Sequence, residues 1–225
     1  MRTLFIRLEG PLQAWGTRAH WEQRDTAREP TKSGVIGLIS CALGRGPADT
    51  EDIHEMSERL RLGVRVDREG HLLEDFHTVV GGVLSADGKI KKTASTGKTE
   101  TIVSHRHYLC DASFLAALQG REDLIERASA SLQNPVWPPF LGRRSCVPSR
   151  PFWAGMGDYE TLENALIDFE APKHSTRLRL VVECEPGEGV RRSDQVVSYP
   201  LRTYASRYVR ELLVDFPSLQ EAEVS

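Results

Sequence analysis

The chain has 225 residues, of which 40% are hydrophobic and 27% charged, and its formal net charge is −3. This composition is typical of a globular protein with one large or two small domains, and the acidic balance argues against a protein that coats nucleic acid indiscriminately. No apolar stretch approaches the roughly 20 residues of a membrane span, and the apolar start is too short for a signal peptide, so we expect a cytoplasmic protein with no membrane partner.

The N-terminal part of the chain predicts a strand followed by a helix. Residues 3–8 alternate as a strand, and the helix is indicated by Thr31 as N-cap, by apolar residues at helical spacing and by Gly44 as a stop. The connection LEGPLQAWGTRAHWEQR, residues 8–24, is rich in glycine, tryptophan and arginine. Glycine lets a backbone approach a ligand closely, and arginine near aromatic rings is typical of phosphate and base contacts. This connection therefore suggests a nucleic-acid-binding loop.

The loop and the N-terminus of the helix together predict a phosphate cradle, because both present backbone N–H groups at one edge of the sheet. Trp15 and Trp21 are either base-stacking or packing residues, and packing is the favoured interpretation. The candidate RNA-contacting residues of this region are Gln13, Trp15, Gly16, Arg24, Lys32 and Ser33.

The middle of the chain completes a βαββαβ order. Its patterns predict a short acidic helix (49–59), two extended segments (60–68 and 71–84), a strand (108–118), a second principal helix (121–132) and a last strand (136–141). This order favours an α+β, ferredoxin-like domain over residues 1–150, with an antiparallel sheet and helices on one face. The rest of the chain predicts a small β-rich C-terminal part over residues 151–225, with one helix (161–169) and three strands (177–183, 196–199 and 208–214).

The segment VGGVLSADGKIKKTASTGKTETIV, residues 80–103, interrupts this order. Its glycines, threonines and lysines supply too few apolar side chains for a core, so we expect it to project between two extended arms as a thumb, either a long hairpin or a flexible finger. The letters TGKT resemble the end of a Walker A loop, but Lys92 stands where that motif needs glycine and no helix follows Thr99. Nucleotide hydrolysis is therefore rejected.

The stretch HRHYL, residues 105–109, lies where the thumb returns to the sheet. Strand alternation places Arg106 and Tyr108 on one face, which suits an unstacked base, and His107 on the other. As an alternative, His107 with Tyr108 and a lysine could cleave RNA through its own 2′-OH. His-x-His lacks a third ligand at suitable spacing, so we expect neither a metal nor another cofactor.

The stretch LGRRSCVPSR contains Gly142 followed by Arg143 and Arg144. A glycine and paired arginines suit an RNA backbone that turns over the edge of a sheet, and the alternative is a solvated loop whose arginines pair with acidic segments. Residue types alone do not decide between the two.

Six stretches in fixed order resemble the CasD-type RAMP subunits of type I-E CRISPR surveillance complexes (Cascade). They are LEGPLQAWG, EPTKSGVIGLISCALG, GVRVDR, DFHTV, HRHYLCDASF and PFLGRRSCVPSRPF, and the likeness covers about residues 1–155, with a weaker match in YASR. Several long motifs in order are far more specific than one short pattern.

The resemblance implies an RRM-like ferredoxin fold with a thumb hairpin, and it puts Gly142, Arg143 and Arg144 in the glycine-rich loop typical of RAMP proteins. It implies a non-catalytic subunit that holds the 5′ handle of the crRNA at the foot of the complex. The implied partners are the backbone subunits, the large subunit that reads the PAM and, indirectly through the complex, target DNA. The alternative function is a metal-independent endoribonuclease that processes precursor crRNA, as in a related subtype.

Overall fold

The computed structural model describes residues 1–17, 22–81, 84, 88–90, 92, 96–99, 101–170 and 177–216. In chain order the elements are β1 (Arg2–Glu9), β2 (Leu12–Gln13), β3 (Gln23–Arg24), α1 (Lys32–Ala42), α2 (Thr50–Arg59), β4 (Arg61–Arg68), β5 (His71–Val80), β6 (Thr101–Cys110), β7 (Ser113–Gly120), α3 (Glu122–Gln133), β8 (Trp153–Asp158), α4 (Leu162–Asp168), β9 (Arg177–Cys184), β10 (Val190–Ser198) and β11 (Thr203–Asp215). Within these ranges, no helix combines the length and the apolarity that a membrane crossing requires.

Seven strands form one large antiparallel sheet in the order β10-β11-β9-β4-β7-β1-β8. Successive side chains of a strand point to opposite faces, so β1 contributes to two cores. Leu4 and Ile6 join a larger core with α1, α2 and α3, whereas Phe5 joins a smaller core with α4 on the other face. The fold is therefore a mixed α/β arrangement in which both faces of an antiparallel sheet are covered.

The two principal helices that the sequence predicts are both present. Thr31 caps α1 by accepting the N–H of Gly34 at 3.3 Å through its side-chain oxygen. The chain leaves α1 through Gly44, whose φ of +70° is readily adopted by glycine. Glu122 and Asp123 stand in the first turn of α3, where acidic side chains favour the positive end of the helix dipole.

The prediction of a strand at residues 136–141 is wrong, since no strand forms there. Pro138 and Pro139 have no N–H to donate to a ladder, and the segment forms a loop in which the N–H of Val136 donates to the carbonyl of Ala42 at 2.8 Å. β8 instead pairs with β1, so strands from both sides of residue 150 share the large sheet. The division into parts 1–150 and 151–225 stays a prediction.

A smaller second sheet is built on β6. β5 pairs with β6 along its whole length, from His71↔Cys110 to Val80↔Thr101, while β2 and β3 pair with the opposite edge of β6. Two bridges, Leu84↔Ile90 and Lys92↔Thr99, continue beyond the β5–β6 hairpin. The arms expected to flank the thumb thus form a hairpin. Part of the expected insertion 80–103 lies outside the described residues, namely 82–83, 85–87, 91, 93–95 and 100.

Candidate nucleic-acid interface

A cavity of about 270 Å³ lies where the loop after β1, the first half of α1 and the loop that ends at Gly142 meet. The structure brings four of the predicted site residues to this cavity, which we call the site cavity: Trp15, Gly16, Ser33 and Gly142. Its full lining is Ala14, Trp15, Gly16, Thr31, Ser33, Gly34, Gly37, Leu38, Cys41, Phe140, Gly142 and Tyr199.

Gly142 is required by the close approach of two loops. Its φ is +87°, and a Cβ added there would lie 1.7 Å from the carbonyl oxygen of Ala14. The N–H of Ala14 in turn donates to the carbonyl of Leu141 at 3.0 Å, which ties the loops together. Any larger residue at position 142 would have to push the wall of the site cavity apart.

The helix wall of the site cavity is also made of small residues. A Cβ on Gly34 would lie 2.8 Å from Cε3 of Trp15, and one on Gly37 would lie 2.9 Å from the hydroxyl of Tyr199. That hydroxyl donates to the carbonyl of Ser33. The two glycines therefore let aromatic rings pack directly against the first turns of α1.

Gln13 and Trp15 are interior residues, and the contact with RNA expected for them stays a prediction. The amide nitrogen of Gln13 donates to the carbonyls of Leu8 at 3.1 Å and Ala112 at 2.8 Å, and its oxygen accepts the indole N–H of Trp15 at 3.0 Å. Trp15 is only 1% exposed, in agreement with the packing interpretation. These side chains hold the loop in shape and leave no free polar atom for a ligand. Trp21 lies outside the described residues.

Lys32 is likewise not available to a ligand. Its side chain is completely buried, and its ammonium group lies 3.0 and 3.1 Å from the two carboxylate oxygens of Glu183 on β9. Burial lowers the pKa of Lys32, and the attraction of Glu183 opposes that shift without cancelling it. Lys32 thus forms a buried ion pair that the sequence could not reveal, because Glu183 is so distant in the chain. The phosphate contact expected for Lys32 stays a prediction.

Arg143 faces the protein, whereas Arg144 is exposed. The guanidinium of Arg143 donates to the carbonyls of His107 at 3.1 Å, Arg24 at 2.9 Å and Asp25 at 3.2 Å, and it lies 4.6 Å from the ring centroid of Tyr108. Arg143 therefore clamps β3 to β6 from the loop after the site cavity. The pair of arginines, equivalent in sequence, has two different roles.

Arg144 is exposed and stands two residues after Gly142, which lines the site cavity. Burial raises the pKa of the Cys41 thiol, and the positive charge of Arg144 partly offsets that shift. Cys41 also lines the site cavity. Arg144 is thus the exposed cation of the predicted set that lies nearest in sequence to a residue of the cavity lining.

Arg24 and Arg106 form a second basic group, on the small sheet. The parallel register of β3 and β6 places the two residues side by side. Nε of Arg106 donates to the hydroxyl of Ser104 at 3.3 Å, and Nε of Arg24 is buried without a hydrogen-bond partner among the described residues. Tyr108 shares the strand face of Arg106, as predicted from alternation, but it is 7% exposed and lies under Arg143. A free aromatic platform beside Arg106 is therefore not formed by Tyr108.

A carboxylate that the sequence analysis missed lies between the two histidines of β6. Glu74 on β5 places one oxygen 2.6 Å from Nδ1 of His105 and the other 3.9 Å from Nε2 of His107. The ring of Phe76 packs edge-on against His105 with 5.4 Å between centroids. Alternation within residues 71–80 was the available signal, since it places Glu74 and Phe76 on one strand face. The register of β5 against β6 then selects their partners.

The β5–β6 hairpin also exposes a row of apolar side chains. Leu72, Phe76 and Val80 stand on one face of β5 and are 64%, 62% and 77% exposed, and Val103 of β6 lies on the same face. The same face also carries Glu74 and Thr78 of β5 and His105 and His107 of β6, and the opposite face exposes Leu73 and Val79. Several exposed large apolar side chains on one hairpin are typical of a contact surface rather than of a solvated one. In the part of the chain that the structure describes, no group of three His, Cys, Asp or Glu side chains is arranged to hold a metal ion.

Comparison with known proteins gives consistent matches over most of the chain. The sequence model of the family described as CRISPR-associated protein (Cas_Cas5) matches residues 3–213. "CRISPR system Cascade subunit CasD" of Escherichia coli (strain K12) is 35% identical over 178 residues, which are 74% of this chain and 76% of that protein.

Two solved structures are similar to the whole fold. One, described as "Crystal structure of Cas protein", is 37% identical with a TM-score of 0.70 and covers 95% of both chains. Another, described as "CRISPR RNA-guided surveillance complex", is 28% identical with a TM-score of 0.71 and covers 96% of this chain and 91% of that chain. The resemblance found in the sequence motifs is thus confirmed, and the chain belongs to the CRISPR-associated protein (Cas_Cas5) family.

Proposed function

We propose that the chain is a non-catalytic RNA-binding subunit of a type I-E CRISPR surveillance complex, which holds the 5′ handle of the crRNA and caps the foot of the assembly in the cytoplasm. Its E. coli relative is named as a Cascade subunit, and one similar structure is named as an RNA-guided surveillance complex. The observation that carries the proposal is the site cavity, where the N-terminus of α1 and a glycine loop meet, with the exposed Arg144 two residues further along that loop.

The arrangement of strands supports an RRM-like, ferredoxin-like core. β1, α1, β4, β7, α3 and β8 follow the βαββαβ order, their strands lie in the order β8-β1-β7-β4, and α1 and α3 pack into the same core on one face. We infer that β9, β11 and β10 extend this core beyond β4 as the C-terminal part. Sheets of this type bind single-stranded RNA in many proteins.

The site cavity has the chemistry of a pocket for one unstacked nucleotide. Thr31 and Ser33 line the cavity at the N-terminal end of α1, whose positive dipole favours a phosphate. The N–H groups of Lys32 and Gly34 are already donated to Asp194 and Thr31, so the attraction there comes from the dipole and not from those two donors. Gly16 and Gly142 contribute only backbone to the lining, to which a sugar-phosphate backbone can come close. Arg144 supplies a positive charge at the rim, and Arg24 and Arg106 form a second basic group for the next part of the handle.

The remaining partners are assigned by surface character. The apolar row Leu72, Phe76 and Val80 suits a neighbouring backbone subunit, because such a row costs free energy when it faces water. The large PAM-reading subunit would then sit on the same foot of the complex, and target DNA would meet this chain only through the assembly.

The proposal is tested by the affinity of the full chain for a synthetic RNA that carries the 5′ handle of the repeats from the same genome. We expect Arg144→Ala and Arg106→Ala each to weaken binding by roughly 10- to 150-fold, since charge-assisted contacts contribute about 1.5 to 3 kcal/mol. Each should also lower the slope of log affinity against log salt by about 1. Arg121→Ala at the start of α3 removes the same charge from another exposed site and is the matched control. Unchanged affinity in both variants would contradict handle binding at these sites.

A second candidate function is a metal-independent endoribonuclease, and the Glu74–His105 contact favours it. A carboxylate on Nδ1 fixes the tautomer and orientation of an imidazole, which then presents Nε2 to a 2′-OH. Incubation with precursor crRNA in EDTA separates the two functions. Specific cleavage that is lost in His105→Ala or His107→Ala would establish the enzyme and refute the non-catalytic role, whereas intact precursor supports that role.

A further inference from the structure

The segment 29–34, which leads into α1, separates two cavities. One is the site cavity, and the other is a polar cavity of about 620 Å³ on the side of the C-terminal strands, lined among others by Glu29, Asp194 and Arg207. Thr31 lines both cavities. The N-terminus of α1 is therefore a thin wall, and its position depends on what holds it from behind.

A closed ring of charges holds this wall from the second cavity. Lys32 pairs with Glu183 on β9, Glu183 lies 3.6 Å from the guanidinium of Arg207 on β11, and Arg207 donates to both oxygens of Asp194 on β10 at 2.7 and 2.9 Å. The ring closes at the backbone, because the N–H of Lys32 donates to Asp194 at 2.9 Å. The two positive groups, Lys32 and Arg207, balance the two carboxylates, so the ring carries no net charge.

Two further contacts from the C-terminal part fix the same segment. The carboxylate of Glu29 accepts from Arg179 at 3.1 Å and from Arg192 at 3.0 Å. On the site-cavity side, the hydroxyl of Tyr199 donates to the carbonyl of Ser33. Glu29 before α1, and Lys32 and Ser33 in its first turn, are thus each held by side chains from beyond residue 177.

Stability alone is a weak reason for such an arrangement. Removing four ionic groups from water is costly, and well-packed apolar residues often stabilise a protein as much as or more than a buried ion pair does. What charged and hydrogen-bonded groups provide in addition is a defined geometry, because their contacts depend on direction and distance. Here the contacts fix the backbone at Lys32, next to residues that line the site cavity.

We propose that Glu183, Asp194, Arg207 and Tyr199 are positioning residues that hold the N-terminus of α1 in the geometry that binds the handle RNA. The three charged residues, on β9, β10 and β11, then act on binding from outside the site cavity, whereas Tyr199 also lines the cavity. This inference rests on the proposed function, since it concerns the same site cavity. It assigns to β9, β10 and β11 a role in preorganising a site built by the N-terminal loop and helix.

The test compares two arginines of β11 that differ in what they hold. Arg207 belongs to the ring, whereas Arg210 points to the other face of the sheet and pairs with Glu163 of α4. Arg207→Gln and Arg210→Gln change the net charge equally, so Arg210→Gln is a control for long-range electrostatics. Affinity for the handle RNA is measured on the folded full chain over a range of salt concentrations, together with thermal unfolding.

We expect Arg207→Gln to bind the RNA roughly tenfold more weakly with an unchanged salt slope, and Arg210→Gln to bind as the unsubstituted chain does. A salt slope lowered by about 1 in Arg207→Gln would show a direct phosphate contact and overturn the positioning role. Tyr199→Phe removes one hydrogen bond at nearly unchanged volume, and we expect a roughly three- to tenfold loss. Because Tyr199 also lines the site cavity, Asp194→Asn, at a residue outside that lining, decides the matter if Arg207→Gln does not fold. If Tyr199→Phe and folded Arg207→Gln bind the RNA with unchanged affinity and only their melting temperatures fall, the ring stabilises the fold without positioning the RNA site, and the proposal is wrong. Failure of the unsubstituted chain to bind the RNA refutes the proposed function itself.

Discussion

The substitution Gly142→Ala offers a sharp test of the site-cavity geometry, because the chain contains a matched control. Gly142 and Gly187 have similar φ angles, +87° and +94°, but a Cβ at 142 would lie 1.7 Å from the carbonyl oxygen of Ala14, whereas a Cβ at 187 meets nothing within 4 Å. Gly187→Ala therefore incurs only the conformational cost of a positive φ, about 1–2 kcal/mol. Gly142→Ala incurs the same cost and in addition must displace the loop of Ala14, for which overpacking costs of about 1–3 kcal/mol are a guide.

We therefore expect Gly142→Ala to lower the free energy of unfolding by about 2–5 kcal/mol and Gly187→Ala by about 1–2 kcal/mol, measured by urea denaturation of the two variants side by side. Handle RNA binding should fall only in Gly142→Ala, because only that residue borders the site cavity. Equal destabilisation by the two substitutions would refute the close approach of the loops. Full RNA affinity in folded Gly142→Ala would show that RNA binding does not depend on the close contact between the two loops.

Three further predictions concern buried and clamping residues. Arg143→Ala should destabilise the fold by about 2–3 kcal/mol in urea denaturation, since it leaves backbone carbonyls of three residues without their donor, whereas Arg144→Ala should stay within about 0.5 kcal/mol; equal effects would contradict the division of roles. Trp15→Ala should cost about 3–5 kcal/mol by the same measurement, as expected for a buried large residue, and a loss below 1 kcal/mol would argue for an exposed stacking role. Burial alone would raise the pKa of Asp194, but hydrogen bonds and charge from Arg207 outweigh it and hold that pKa below its ordinary value. Its contribution to stability is therefore present above about pH 4 and lost as the pH falls through the folded-state pKa, so the stability difference between the unsubstituted chain and Asp194→Asn should shrink in acid; a constant difference down to about pH 2 would contradict this.

Local pattern in the sequence was sufficient for those elements whose formation depends on neighbouring residues. The N-cap Thr31, the glycine stop after α1 and the apolar spacing of α3 act within one or two turns, so the two principal helices follow from the sequence. The alternation of HRHYL correctly put Arg106 and Tyr108 on one strand face. The family, too, is recognisable from motifs alone, because several long stretches occur in fixed order.

Local pattern failed where a strand depends on its partner. Residues 136–141 have apolar side chains suitable for a strand, yet the edge of β1 is occupied by β8, and the prolines of the earlier segment cannot complete a ladder. Pairing between strands is decided by register and by competition among segments far apart in sequence, which no local window contains.

The roles of the charged side chains were decided only by the tertiary structure. Lys32 looked like a phosphate ligand because it starts a helix after a glycine loop, but the fold brings Glu183 to its ammonium group and buries both. Arg143 and Arg144 are adjacent in sequence, and only the packing of the loop against β3 and β6 turns one inward and leaves the other exposed. Sequence thus determined which residue types gather near the site, whereas the long-range contacts determined which of them remain free to bind, because an ionic group that finds a buried partner is no longer available to a ligand.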